Sequence, residues 1–222
     1  MRLGEHDRRA VSAAVAAAEA RTDGEIVTVV AGRSDSYHDV ALHWAVLAML
    51  LVPAALAARP RWAERLWAVI EPWERATPPG GLFLVALVLS ALAFLLVRAA
   101  LAYMPLRLLL TPGSTEARRV RRRAVELFRV AAERRTRART GVLLYLSLAE
   151  RRAEIVADEA IHSKVAPELW GEAMAVLIER TRAGRPGEGV AAAVERIGAV
   201  LHKHFPRGGG DVNELPDHLV EL

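Results

Sequence analysis

The sequence predicts an α/β domain, a central β-sheet flanked by helices, interrupted by a two-helix transmembrane hairpin. Three observations carry that expectation. Residues 40–58 and 82–97 are nearly free of charge, and at about 1.5 Å rise per residue each is close to the thickness of a bilayer's hydrocarbon core. A β-branched run, EIVTVVAG at 25–32, stands before them with no second strand nearby, and a lone strand leaves its backbone groups unpaired. Beyond the apolar stretches, GVLLYLSLA at 141–149 and AEIVAD at 153–158 read as an antiparallel pair that supplies the missing partners. The hairpin is therefore expected inside the domain. Residues 1–39 give its first helix and strand, 40–110 the hairpin with an external connector, 111–205 the remainder, and 206–222 a docking tail.

Composition bounds the rest. The 222 residues are 53% hydrophobic with a formal charge of +4, enough for one ordinary domain and two spans but not for a second domain. Cysteine is absent, which excludes disulfides, thiolate metal sites and thiol nucleophiles, cysteine-based phosphoryl transfer included. The opening residues MRLGEHDRRA are polar and charged, so no secretory signal is expected before the domain.

Taken in order, Val11, Ala14, Val15 and Ala18 recur at helical spacing and predict an amphipathic helix over 6–21. Thr22-Asp23-Gly24 is expected to end it, with Gly24 in the left-handed conformation. The first apolar stretch carries His43, Trp44 and Pro53, with His43 within a turn of its polar start, where an interfacial side chain is expected. In the connector, Trp62, Leu66, Trp67, Ile70 and Trp73 fall near helical spacing among Arg and Glu, as in a helix lying on a membrane surface. Trp44, Trp62, Trp67 and Trp73 then form an aromatic belt at the interface. Arginines before the first stretch and after the second, from Arg98 and Arg107 through Arg118–Arg123, outweigh those of the connector; Arg75, like Arg59, Arg61 and Arg65, lies on the outer side. By the positive-inside rule both termini face the cytoplasm.

Ser114 is the expected N-cap of a helix running to about Arg135, with Val120, Ala124, Leu127, Phe128 and Ala131 inward and arginines elsewhere. The strand at 141–149 is apolar on nearly every residue, as a central strand covered on both faces is. Two helices, near 168–183 and 189–204, follow across a Gly-Arg-Pro-Gly break.

In this order the residues resemble the TPM-domain family, and more narrowly its short bacterial membrane forms. The resemblance rests on EIVTVV, on GVLLYLSLAERRAEIVADEAI and on the NELPD tail, and covers about residues 5–40 and 115–222. It implies an α/β sandwich. It also implies either of two activities: phosphatases with acidic residues lining a metal-binding cleft, or non-enzymatic assembly and modulation factors at membranes. The Asn-Asp pair before the first helix and the Gly-x-Gly-x-Glu-like turn after the second hairpin strand, both frequent in the family, are missing; Asp158-Glu159-Ala160-Ile161-His162 stands at the second place.

Oxygen and imidazole groups gather there at a strand end, where α/β sheets build sites. Asp158, Glu159 and His162 are the candidate catalytic residues. Asp35, Asp158 and Glu159 are candidate ligands for a divalent cation, Ca or Mg, provided that the two strands run parallel so that Asp35 joins the others. The alternative is that Asp158 and Glu159 cap a following helix, which needs no metal. Asp211, Glu214 and Asp217 in the tail are candidates to close over such a cleft, with a docking tail the equal alternative given the Pro and Gly nearby. Gly187-Glu188-Gly189-Val190-Ala191-Ala192 matches G-x-G-x-x-A but follows a helix, so no dinucleotide turn exists. Ser114, Ser147 and Ser163 lack a nucleophile elbow, and no P-loop or H-E-x-x-H occurs. The arginine run over 118–139 faces anionic headgroups rather than nucleic acid, each charge contributing about 1 kcal/mol near the surface. The expected function is a membrane-tethered module on the cytoplasmic face of a bacterial cytoplasmic membrane that binds or helps assemble another membrane protein, in contact with the lipid bilayer. The alternative is a metal-dependent phosphatase.

Overall fold

A computed structural model of the chain describes residues 3–73, 76–131, 140–208 and 219–222. The chain divides into two compact units, one formed by Met1–Asp35 with Gly113–Leu222, the other by Ser36–Pro112. The second unit is thus an insertion in the chain of the first.

In the first unit, α1 (Glu5–Glu19) leads into β1 (Glu25–Ala31), and after the insertion the chain continues through α6 (Gly113–Ala131). Then come β2 (Gly141–Ser147), β3 (Arg152–Ala157), the short α7 (Glu159–His162) and a 3-10 turn at Pro167–Trp170. The helices α8 (Gly171–Arg182) and α9 (Pro186–His204) and the short β4 (Val220–Glu221) complete it. The sheet order is β3-β2-β1-β4. β1 lies parallel to β2, with Glu25 opposite Gly141 and Ala31 opposite Ser147, and parallel to β4; β2 and β3 are antiparallel. The lone strand therefore finds its partner beyond the inserted unit, and β2 is central.

Both central strands are buried along their whole length, which is why neither shows a polar face. Side chains alternate with the strand period of two. Ile26, Val30, Val142, Leu144 and Leu146 pack with Val11, Leu177, Val194 and Ile197 of α1, α8 and α9, while Val27, Val29, Leu143 and Tyr145 pack with Val120, Ala124 and Phe128 of α6. The sheet is the middle of three layers.

Two local expectations change. Gly184 has the only left-handed glycine backbone among the described residues (φ +78°); Gly24 does not need it, because α1 already closes at Ala20 in a helical conformation. Gly24 is instead a packing glycine, whose added Cβ would lie 3.0 Å from Leu201 Cδ1, and its N–H donates to Thr22 Oγ1 at 3.1 Å. Ser114 lies inside α6, which starts one residue earlier at Gly113. The described part of α6 stops at Ala131, so Arg135 and the other arginines beyond it lie outside the described residues, as do Arg75 and the tail acids Asp211, Glu214 and Asp217.

The second unit holds α2 (His38–Ala58), α3 (Pro60–Ile70), α4 (Pro79–Ala100) and α5 (Met104–Leu109). α2 and α4 are each long and apolar enough to cross a membrane, with mean hydropathies of 2.1 and 2.7, and only 17% and 11% of their apolar windows are buried. They pack on each other, and Ala41 and Ala45 of α2 and Gly81 and Val85 of α4 are among their buried positions. Trp67 of α3 lies against Gly81, where a Cβ would meet its indole at 2.8 Å. Leu50, Leu51, Phe83, Leu87 and Leu96 are exposed.

Candidate functional site

The condition for the acidic set fails. β3 runs antiparallel to β2 and therefore to β1, so Asp35, past the end of β1, and Asp158, past the end of β3, belong to opposite ends of the sheet. A seven-residue strand separates those ends by about 20 Å. Asp158 is buried, and its carboxylate accepts the Gly141 N–H at 2.8 Å, while its own N–H donates to the Gly141 carbonyl at 2.9 Å. It closes the ladder between β2 and β3. Although it holds the N-cap position of α7, it makes no side-chain cap bond there, so the capping alternative holds for its backbone place only. Glu159 and His162 are exposed on α7.

Asp35 has been taken up by α6. Its Oδ2 accepts from Arg119 Nη1 at 3.1 Å and Arg122 Nη2 at 3.2 Å, with Arg119 and Asp35 both mostly buried. Among the described residues no three His, Asp or Glu side chains come together as a cation site. The residues proposed for Ca or Mg do not fit that role here: they are separated, and two of the three carboxylates are engaged by donors of the fold.

What the C-terminal ends of β1 and β2 do assemble is a polar network that the sequence did not announce. Glu150 is buried; its Oε1 accepts the Ser34 N–H at 2.9 Å and its Oε2 accepts from the Ser147 hydroxyl. The Ser34 hydroxyl lies 3.0 Å from the Tyr145 phenol. Burial raises the Tyr145 pKa, against the help of the Ser34 bond, and the nearby Glu150 charge raises it further. The phenol therefore stays protonated through the neutral range. One signal was readable: Tyr145 is the only hydroxyl-bearing residue at 142–146, and a buried Tyr usually finds a partner for its OH.

The arginines of α6 are partly spent within this unit. Besides the Asp35 pair, Arg121 meets Glu154 at 3.4 Å, and Glu116 meets Arg152 at 3.3 Å. Arg118, Arg121, Arg122 and Arg129 nonetheless keep exposed side chains, leaving a basic outer face.

Glu154 gives a signed test. Burial raises its pKa, outweighing the attraction of Arg121 and Arg152. A carboxyl whose folded pKa exceeds its unfolded value binds its proton more tightly in the fold. Its contribution to stability is present below the unfolded pKa and is lost as pH rises through the folded one. Glu154→Gln is therefore expected to be more stable than wild type at pH 7, the advantage shrinking as pH falls through the carboxylate range. Urea midpoints at pH 4, 5, 6 and 7 measure this, and a variant less stable at pH 7 would contradict it.

The residues expected at a membrane interface all lie in the second unit. Trp62 is 49% and Trp73 82% exposed, and the Arg59 guanidinium sits 6.0 Å from the Trp62 ring centroid. Trp67 is half-buried against Gly81. Trp44 donates its indole N–H to the Leu110 carbonyl at 3.3 Å. Arg98 is half-buried in the last turn of α4. Arg107 departs from its expected role: it is buried, and its guanidinium donates to the Leu101 carbonyl at 2.7 Å and to the Ser36 carbonyl. Those carbonyls lie just beyond α4 and just before α2, so Arg107 ties the two open ends of the hairpin together instead of meeting headgroups.

Residues 105–200, less than half of the chain, match the family model of the TPM domain. No curated protein matches. Among solved structures, the NMR structure of BA42 protein from the psychrophilic bacterium Bizionia argentinensis is similar with a TM-score of 0.58 and 16% identity, over 100% of this chain and 96% of that one. That likeness is one of fold.

Proposed function

We propose that this chain is a membrane-tethered TPM-like module, held by the α2–α4 hairpin on the cytoplasmic face of a bacterial membrane, and that its soluble unit binds or helps maintain another membrane protein. The observation that carries the reading is that two helices of spanning length leave most of their apolar side chains uncovered. A core helix of a soluble domain would bury them. Lipid is the solvent that suits such a surface, and the amphipathic α3, with Trp62 and Trp73 exposed, suits headgroup depth. Binding is favoured over phosphate-ester hydrolysis because Asp35 and Asp158 lie at opposite sheet ends and each serves the fold. The exposed arginines of α6 are the natural docking face.

The natural absence of cysteine makes the location directly testable. Carbonate extraction is expected to leave the protein in the membrane pellet. With Trp73→Cys in the connector and Lys164→Cys in the soluble unit, an impermeant maleimide should label the first in intact spheroplasts and the second only after lysis. Release by carbonate would overturn the tether, and the reverse labelling would overturn the orientation. A photocrosslinking residue at Arg118 should give one discrete adduct with a membrane protein; its absence would leave the module as an anchor without a docked partner.

A further inference from the structure

We propose that the connector end of the α2–α4 hairpin forms a binding site for one acyl chain with an anionic head, the chain lying between the helices and the head on the arginines of α3. The site rests on the membrane reading of the hairpin. A cavity of about 470 Å³ lies within the second unit, walled by Pro53 and Ala57 of α2, Pro60 and Ala63 of α3, and α4 from Pro79 to Ala86. Every residue that lines it is apolar, so it offers water none of the polar partners an enclosed water needs. Its volume is that of pockets that hold apolar ligands, about 300–1,000 Å³.

The depth of the cavity suits a lipid of one leaflet. Pro79 opens α4, and the rise from it to Ala86 is about 10 Å. The cavity therefore starts at the connector and ends within half of a hydrocarbon core about 30 Å thick. A spanning helix of another protein would need a groove along the whole hairpin, whereas this one stops at Ala86. Alanine at 57, 63 and 86 sets only methyl groups toward the space, where leucine would fill it in the manner of a close-packed interior.

Charge at the mouth selects the head. Arg59 and Arg61 flank the lining Pro60 in sequence, and Arg65 follows Arg61 by one turn of α3. All three are exposed. Arg59 lies over the Trp62 ring, and none of the three meets a carboxylate among the described residues. An isologous contact with a second copy would set these arginines against one another, while an anionic head would satisfy them. A guanidinium pairs with carboxylate and phosphate alike, so a fatty acid and an anionic phospholipid share the chemistry the site requires.

The full chain reconstituted in phosphatidylcholine vesicles tests this, with stearic acid, phosphatidylglycerol or phosphatidylcholine spin-labelled near the end of the acyl chain. A motionally restricted signal that saturates at one label per protein is expected for an anionic probe and not for phosphatidylcholine. Saturation by stearic acid alone assigns a free fatty acid, saturation by phosphatidylglycerol assigns a phospholipid, and both support the site. Ala57→Phe and Ala86→Phe fill the cavity from opposite walls and should each abolish that signal, with the helical circular dichroism retained. Arg61→Gln and Arg65→Gln should each weaken it about fivefold, the scale of one charge near a membrane surface. Leu96→Ala, exposed far along α4, should leave it unchanged. Equal restriction of all three probes, or a signal that survives both phenylalanines, would overturn the site. So would a disulfide-linked dimer of Phe83→Cys, which would put a second copy at the lining Phe83. Flotation of the same vesicles keeps the failures apart. Protein that floats without a restricted signal overturns the site alone; protein that does not float overturns the tether and the site together.

Discussion

Asp158→Ala is expected to lower the stability of the sheet-bearing unit by about 2–3 kcal/mol, the cost of stranding a buried donor that had a charged acceptor. The donor is the Gly141 N–H, 2.8 Å from the carboxylate. Gly141 opens β2, and β2 is the strand to which both β1 and β3 are paired, so the loss falls where the parallel and antiparallel ladders meet. Asp158→Asn keeps an oxygen acceptor of similar shape without the charge and should lose about 1 kcal/mol, the difference between a charge-assisted and a neutral bond. Urea titration of both variants followed by circular dichroism gives the two numbers. The graded pair also separates a structural carboxylate from a metal ligand. A ligand would make the wild-type midpoint move on adding Ca or Mg and make both substitutions abolish that movement, whereas a ladder-closing carboxylate leaves the midpoint indifferent to either ion. An Asp158→Ala midpoint close to that of wild type would sink the assignment.

The elements that could be read from the chain were those whose signal is local or whose absence leaves a debt in backbone hydrogen bonds. β2 reads as central because residues 142–146 show no polar face, and it is buried throughout. β1 reads as paired across the insertion because no other strand lies near it in sequence. Strand direction is a different kind of information. Whether β1 and β3 run together depends on the path between residues 31 and 141, through an entire second unit and α6, and no residue pattern inside either strand records it. A metal site shared by Asp35 and Asp158 requires β1 and β3 to run together, and they run antiparallel, so the two carboxylates stand at opposite ends of the sheet. The fate of the arginines is likewise tertiary. Periodicity places Arg119 and Arg122 on a polar side of a helix, but only packing brings them to Asp35. Arg107 reads in sequence as an orienting charge beside a span, whereas packing makes it a buried clamp on two carbonyls. β4 is two residues long, too short for any periodic signal, and its pairing with β1 comes from the open edge it covers.

Gly198 marks the second position where a small change should have a large effect. α1 and α9 pack together over one face of the sheet, and a Cβ at Gly198 would stand 2.6 Å from the Ala18 Cβ and 3.2 Å from its Cα. Ala18 is fully buried, so it has no free direction in which to yield. Two opposed terms decide the outcome of Gly198→Ala. Helix propensity favours Ala over Gly by about 1 kcal/mol in a helix interior, while forcing two close-packed backbones apart costs about 1–3 kcal/mol and sometimes more. The contact is shorter than methyl groups tolerate and involves backbone as well as side chain, so packing wins and a net loss of about 1–2 kcal/mol is expected. Gly198→Val adds bulk and a β-branch, and should lose about 3 kcal/mol or more. The mechanism makes a further demand. Ala18→Gly removes the opposing methyl, so in that background Gly198→Ala should become neutral or stabilising, and the two substitutions should show a favourable coupling of about 1–2 kcal/mol in a double-mutant cycle. Additive losses would mean that Gly198 is required for something other than its distance to Ala18, and the close approach of α1 and α9 would no longer explain why glycine stands there.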